Sequence, residues 1–145
     1  MQKQFLALTI ALAAGFTGST FAADAMTRDA YKSAKDKIEE TAKADKKACD
    51  AMKANAKDVC QAEAKAKEKI AKAEIDAQNK PSAKASEKVR MMKAEGDYEV
   101  AKEKCEDQTG TAMATCKKDA KVAYDKAKTE ARQAGTTAAT TEKKS

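Results

Sequence analysis

Four cysteines are the residues whose type and spacing point most directly to chemistry in this sequence. Four thiols could form two disulfides, hold a zinc ion or take part in redox exchange. Structural zinc ligands usually stand about two to four residues apart and redox thiols often occur as CxxC, whereas the gaps here are longer and the chain has no His. We therefore expect two structural disulfides, no metal and no cofactor. The cysteines are Cys49, Cys60, Cys105 and Cys116.

The spacing of 11 positions within each neighbouring pair constrains the elements that carry the cysteines. On one straight helix, two such residues would lie about 16.5 Å apart along the axis, whereas bonded cysteines have Cα atoms at most about 6.8 Å apart. Local pairing therefore requires a chain reversal inside each pair. Ala54-Asn55 and Gly110-Thr111 stand at the two midpoints. Gly110 can adopt the left-handed conformation that closes a helix, and Asn55 is expected to start the next helix in the first unit.

A second pairing satisfies the same arithmetic, because one long hairpin that reverses beside Pro81-Ser82 would also bring the cysteines together. That hairpin would place Gly110 inside a helix, at a cost of about 1 kcal/mol relative to Ala. A repeat of 56 residues, which aligns the first cysteine pair with the second, favours local pairing. The favoured pairs are Cys49–Cys60 and Cys105–Cys116, and the alternative pairs are Cys49–Cys116 and Cys60–Cys105.

Composition and periodicity predict an all-α chain. The sequence contains 34 Ala and 26 Lys, which are good helix formers, and apolar residues recur every three or four positions. We expect a coiled-coil-like, antiparallel four-helix domain of two duplicated hairpins, or else one long helical hairpin. The predicted helices cover 27–53, 56–79, 82–109 and 111–134. The helical domain is 23–134, its repeats are 27–79 and 82–134, and 135–145 is expected to be a disordered tail.

The first 22 residues have the features of a cleavable signal peptide. Lys3 precedes an apolar run of about a dozen residues, which is too short to span a bilayer as a helix. Small residues follow, and cleavage is expected between Ala22 and Ala23. No later segment is apolar enough to span a membrane, so we expect an exported chain, periplasmic in a Gram-negative source. Loss of Lys3 lowers the formal net charge from +6 to +5.

Catalytic groups are not evident in the sequence. The acidic residues alternate with Lys at spacings that place ion pairs on solvated helix faces. We therefore expect no enzyme and no catalytic residues. With only 3 Arg and a dispersed positive charge, specific nucleic-acid recognition is not expected, and weak electrostatic contact with polyanions stays an alternative. The predicted pairs are Glu39–Lys43, Glu63–Lys67, Glu68–Lys72 and Asp76–Lys80.

The signal peptide, the Ala/Lys/Glu helices and the duplicated segment from Cys49 to Cys60 resemble a group of small Ala/Lys-rich exported helical proteins of Gram-negative bacteria. Its members are labelled TolA-like or cell-envelope biogenesis proteins. TolA itself differs from the chain expected here, because it keeps an uncleaved membrane anchor and adds a folded C-terminal domain. The resemblance therefore implies an envelope location and does not imply a role in the Tol system. The function expected is a non-enzymatic periplasmic scaffold, spacer or protein-interaction protein. The alternative is a weak electrostatic binder of lipopolysaccharide or anionic lipid. The partner would be an envelope protein or an anionic surface, and self-association is left open.

Overall fold

Four α-helices make up the part of the chain that the computed structural model describes, which is residues 26–142, with side chains described as far as residue 134. The helices are α1 (Arg28–Ala48), α2 (Ala54–Asn79), α3 (Ala83–Cys105) and α4 (Gly110–Glu142). A 3-10 turn, Cys49–Ala51, follows α1. No strand occurs within these residues, and the all-α prediction is confirmed. The predicted cleavage site between Ala22 and Ala23 lies outside the described residues.

The starts of α1 and α3 are set by hydroxyl caps. The side-chain oxygen of Thr27 accepts a hydrogen bond from the backbone N–H of Ala30 at 3.2 Å. In the same way, Ser82 Oγ accepts from the N–H of Ala85 at 3.0 Å. Each hydroxyl satisfies one of the N–H groups that a helix start leaves without a partner. Pro81 comes immediately before the second cap, so the turn between α2 and α3 ends at a defined residue.

The starts of α2 and α4 share an unusual backbone conformation. Ala54 has a φ of 48° and Gly110 a φ of 57°, both in the left-handed region. The two positions are 56 residues apart, which is the length of the sequence repeat. The positive φ expected at Gly110 is therefore confirmed, and the first repeat adopts the same conformation with an alanine. For a residue with a Cβ this conformation costs about 1–2 kcal/mol.

The helices pack in chain order as a single antiparallel layer. α1 contacts α2, α2 contacts α3, and α3 contacts α4. Between residues 26 and 142, α1 contacts neither α3 nor α4, and α2 does not contact α4. The two predicted hairpins, α1–α2 and α3–α4, are confirmed. The outer helices do not meet, so the layer stays open and two broad faces border solvent.

The core is formed by small side chains. Gly96 of α3 lies so close to α2 that an added Cβ would be 2.9 Å from the Cβ of Ala66. Glycine at this position therefore allows the two central helices to approach closely. Small side chains bury little area each, so the hydrophobic contribution per helix is modest. The buried apolar residues are Ala42, Cys49, Ala64, Ala66, Ala73, Ile75, Ala94, Cys105 and Ala131.

The structure corrects several predicted helix boundaries. α1 ends at Ala48 rather than at 53, so Met52, expected within the helix, lies beyond it and is 45% exposed. α3 ends at Cys105 rather than at 109. α4 continues through 135–142, which the sequence had assigned to the disordered tail. Extending an existing helix fixes one residue per added hydrogen bond, whereas nucleation fixes several at once, so a long helix can continue through Thr-rich sequence.

Candidate functional site

Two disulfides join consecutive helices at one end of the layer. Cys49, directly after α1, is bonded to Cys60 in α2 with a Cα–Cα distance of 5.6 Å. Cys105, the last residue of α3, is bonded to Cys116 in α4 with a Cα–Cα distance of 5.7 Å. The favoured local pairing is confirmed and the long-hairpin pairing is excluded. Disulfides persist in oxidising compartments, so both bridges are consistent with an exported protein.

A cluster of alternating charges joins α1 to α2 in the first hairpin. Glu68 accepts from Lys46 Nζ at 2.7 Å and from Lys72 Nζ at 2.8 Å, and only 18% of its side chain is exposed. Lys72 also lies 3.2 Å from Glu39. The hydrogen bonds from Lys46 and then Lys72 lower the pKa of Glu68 to about 2. The hydrogen bond between Lys72 and Glu68 in turn raises the pKa of Lys72. The cluster therefore stays charged at neutral pH and is unsuited to general acid–base catalysis.

The second hairpin has two stacked tyrosines, each with a lysine over its ring, in the region that corresponds to this charge cluster. Lys128 Nζ lies 5.4 Å from the ring centroid of Tyr124. Lys102 Nζ lies 5.3 Å from the centroid of Tyr98. The two rings stack with centroids 4.9 Å apart and planes 19° from parallel. An ammonium group is attracted to an aromatic face as it is to a carboxylate, although more weakly. In the first hairpin, the positions equivalent to 98, 102, 124 and 128 are Ala42, Lys46, Glu68 and Lys72.

Ion pairs between helices replace most of the pairs predicted within helices. Of the four predicted pairs, only the one between Glu68 and Lys72 forms. The other acidic residues lie near a helix–helix seam and reach across it, whereas the prediction placed them on solvated faces. Sequence spacing along one helix cannot show which neighbouring helix supplies a closer amine. The observed partners are Glu39–Lys72 at 3.2 Å, Glu63–Lys104 at 3.2 Å and Asp76–Lys88 at 3.2 Å.

The end of the layer opposite the disulfides carries a groove beside the turn at Pro81. The Tyr31 hydroxyl donates to Asp76 Oδ1 at 2.6 Å, and Lys88 Nζ lies 3.2 Å from Asp76 Oδ2. The Tyr31 bond and then the Lys88 bond lower the pKa of Asp76. The groove has a volume of about 710 Å³, and Met91 contributes to its lining. Its lining combines an aromatic ring and a thioether with lysine amines and with the carboxylates of Asp76 and Glu87, and the groove opens to solvent.

One broad face of the layer is furrowed between every pair of neighbouring helices. The furrows have volumes of about 480 Å³ between α1 and α2, 390 Å³ between α2 and α3, and 810 Å³ between α3 and α4. Lys67 lines the first two furrows and Lys104 the last two, so all three lie on the same face. Apolar side chains such as Ile38 and Val100 contribute to their walls. This face therefore has three grooves side by side, one between each pair of neighbouring helices.

Searches against family models, curated proteins and solved structures found no match for this chain. Within residues 26–142, no group of three or more His, Cys, Asp or Glu side chains could hold a metal ion. No helix of that part of the chain has the length and apolarity needed to cross a membrane. The fold and the two bridges define the chain as an all-α, disulfide-stapled layer of two helical hairpins.

Proposed function

We propose that this protein is a non-enzymatic scaffold, spacer or protein-interaction protein of the cell envelope, exported to the periplasm through its cleaved N-terminal segment. The observation that carries the proposal is the open packing of the helices. Each helix contacts only its neighbours in the chain. Both broad faces therefore remain available to partners, and the furrowed face offers several grooves side by side.

The chemistry of the charged groups supports a binding role over a catalytic one. Glu68 and Asp76, two carboxylates set among inter-helix contacts, both have a lowered pKa. A general acid or base works best when its pKa lies near the operating pH. These carboxylates instead hold neighbouring helices together through amines and a tyrosine hydroxyl. The disulfides stabilise a layer whose small side chains bury little area.

Export and partner binding are tested together in the source cell. Intact mass measurement of the envelope fraction is expected to give a chain that begins at Ala23 and lacks four hydrogens. A photo-crosslinking residue at Val100, in a furrow, is expected to give discrete crosslinked products. The same residue at Lys118, an exposed position on α4, is the control. A cytoplasmic protein with four free thiols, or identical products from both positions, would contradict the proposal.

A second candidate function is weak electrostatic binding to an anionic envelope surface, either lipopolysaccharide or anionic lipid. Exposed cations at the Pro81 end favour it, because Lys80 and Lys84 take part in no ion pair within residues 26–134. Such binding depends on charge neutralisation and weakens as ionic strength rises. Retention on an anionic surface that does not change between low and physiological salt would argue against this function.

A further inference from the structure

Positive charge is unevenly distributed between the two ends of the helical layer. We call residues 28–36 and 76–90 the Pro81 end, and residues 45–58 and 101–119 the disulfide end. The Pro81 end has seven basic and four acidic residues, whereas the disulfide end has eight basic and seven acidic residues. The excess of cations therefore lies at the end that carries no disulfide.

Two of the four acidic residues at the Pro81 end are bound by neighbouring groups. Asp76 is bonded to Tyr31 and Lys88, and Asp36 lies 3.2 Å from Lys32. In contrast, three cations at this end are exposed and form no ion pair within the part of the chain that has described side chains: Arg28, Lys80 and Lys84. They are free to neutralise anions on an external surface.

These three cations lie at the same end because neighbouring helices are antiparallel. Arg28 is the first residue of α1, Lys80 lies in the turn after α2, and Lys84 is the second residue of α3. Two of them also line the groove that contains Tyr31 and Met91. Tyrosine rings are enriched at the headgroup level of membranes, and long Lys and Arg side chains extend toward anionic headgroups while their stems stay in apolar surroundings.

We propose that the Pro81 end docks on the surface of an anionic phospholipid bilayer, with the headgroup phosphates against Arg28, Lys80 and Lys84. This inference rests on the second candidate function above and names its partner and its contact site. A bilayer fits better than a groove-bound peptide because the cations come from three separate segments at one end of the layer. The helices then stand away from the membrane, and the disulfide end lies about 35 Å from the surface, which is the length of α3.

Vesicle binding by the full exported chain, with its disulfides intact, tests the docking site. The probes are vesicles of phosphatidylcholine alone and vesicles that also contain about 30% phosphatidylglycerol. The triple variant Arg28→Gln/Lys80→Gln/Lys84→Gln is compared with Lys47→Gln/Lys53→Gln/Lys118→Gln, which removes three exposed cations from the disulfide end. Both variants lose the same net charge, and circular dichroism checks that both keep the helical content of the unaltered chain.

We expect binding to the anionic vesicles only, and weaker binding as salt rises. Each cation near an anionic surface contributes about fivefold to the binding constant. The variant of the Pro81 end should therefore lose about a hundredfold in affinity, while the variant of the disulfide end stays close to the unaltered chain. Equal losses in both variants, or equal binding to neutral vesicles, would overturn the inference.

A tryptophan reporter tests the orientation independently, because the chain has no Trp. Ser86 at the Pro81 end and Met52 at the disulfide end are both exposed. Brominated anionic lipid is expected to quench Ser86→Trp and to leave Met52→Trp unchanged, and quenching of Met52→Trp alone would overturn the orientation. If vesicle binding fails while the Val100 crosslinks persist, the docking inference falls and the scaffold function stands. A chain that is not exported refutes the proposed function itself.

Discussion

Exchanging alanine and glycine at the two equivalent helix starts tests whether the repeats share one backbone turn. Ala54 and Gly110 both have a positive φ, at 48° and 57°. A Cβ added at Gly110 would meet nothing within 4 Å, so Gly110→Ala changes the backbone energy without a steric clash. Ala54 is exposed, so Ala54→Gly removes a Cβ that packs against little. The two substitutions should therefore shift stability in opposite directions.

The size of both shifts follows from two opposing contributions. A left-handed conformation costs a residue with a Cβ about 1–2 kcal/mol. Glycine in turn gives the unfolded chain more freedom, which offsets about 0.4–1 kcal/mol of that difference. We expect Ala54→Gly to raise the free energy of unfolding by about 1 kcal/mol and Gly110→Ala to lower it by about as much. For a helical region of this size, 1 kcal/mol corresponds to about 4 °C in Tm.

Thermal and urea unfolding, followed by circular dichroism of the oxidised protein, measure both variants. Ala44→Gly is the control, because Ala44 is exposed in the interior of α1, and glycine there should cost about 1 kcal/mol. The decisive result is the sign at position 54. If Ala54→Gly lowers stability as Ala44→Gly does, the first hairpin does not contain the left-handed turn, and the reasoning is refuted.

Three further predictions concern the seam, the charge cluster and the bridges. Gly96→Ala should lower the free energy of unfolding by about 1–3 kcal/mol, since the new methyl would overlap Ala66; adding Ala66→Gly should recover part of the loss, and full stability in the single variant would contradict the close approach. Because the pKa of Glu68 is lowered from 4.5 to about 2, its contribution to the free energy of unfolding is fully present above pH 4.5 and is lost as pH falls toward 2. In Glu68→Gln, the urea midpoint of unfolding should therefore depend less on pH across this range. A pH dependence equal to that of the unaltered chain would refute the cluster. Reducing both disulfides should cost about 3 kcal/mol per bridge in the loop-closure estimate, so a melting curve that does not change with reductant would show that the bridges do not stabilise the layer.

The turns at the disulfide end were predictable because few residues can occupy them. The 11-residue spacing excludes a straight helix between bonded cysteines, and Gly110 marks a left-handed position in the second unit. The same reasoning made Asn55 the residue that initiates a helix over 56–79, whereas α2 begins at Ala54. Asn55 instead donates its side-chain N–H to the backbone carbonyl of Glu103 in α3 at 2.8 Å. An asparagine side chain can cap a helix start or donate a hydrogen bond to a neighbouring helix. The sequence alone therefore does not show which of these two roles Asn55 takes.

The charge cluster and its aromatic counterpart were missed because the prediction considered only pairs within one helix. A position-by-position comparison at the 56-residue offset would have aligned Lys46 with Lys102 and Glu68 with Tyr124. At this offset both lysines of the cluster align with lysines, whereas Glu68 aligns with a tyrosine. This pattern is the signal in the sequence that could have indicated the two clusters. The open packing left no comparable signal, because an apolar stripe of alanines suits both a closed bundle and a single layer.

The close approach at Gly96 has no equivalent at the two outer edges of the layer, where a further hairpin would have to pack. By the repeat offset, the position equivalent to Gly96 on the outer edge of α1 is Glu40, and the position equivalent to Ala66 on α4 is Val122, which is 60% exposed. At the corresponding contact inside the chain, Gly96 meets the small side chain of Ala66. If a second molecule packed its α1 against α4 in the same way, Glu40 would meet Val122. Desolvating that unpaired charge is costly, and polar outer edges limit growth in repetitive proteins. Glu40 and Val122 therefore disfavour the addition of a third hairpin through the contact that joins the two hairpins of this chain.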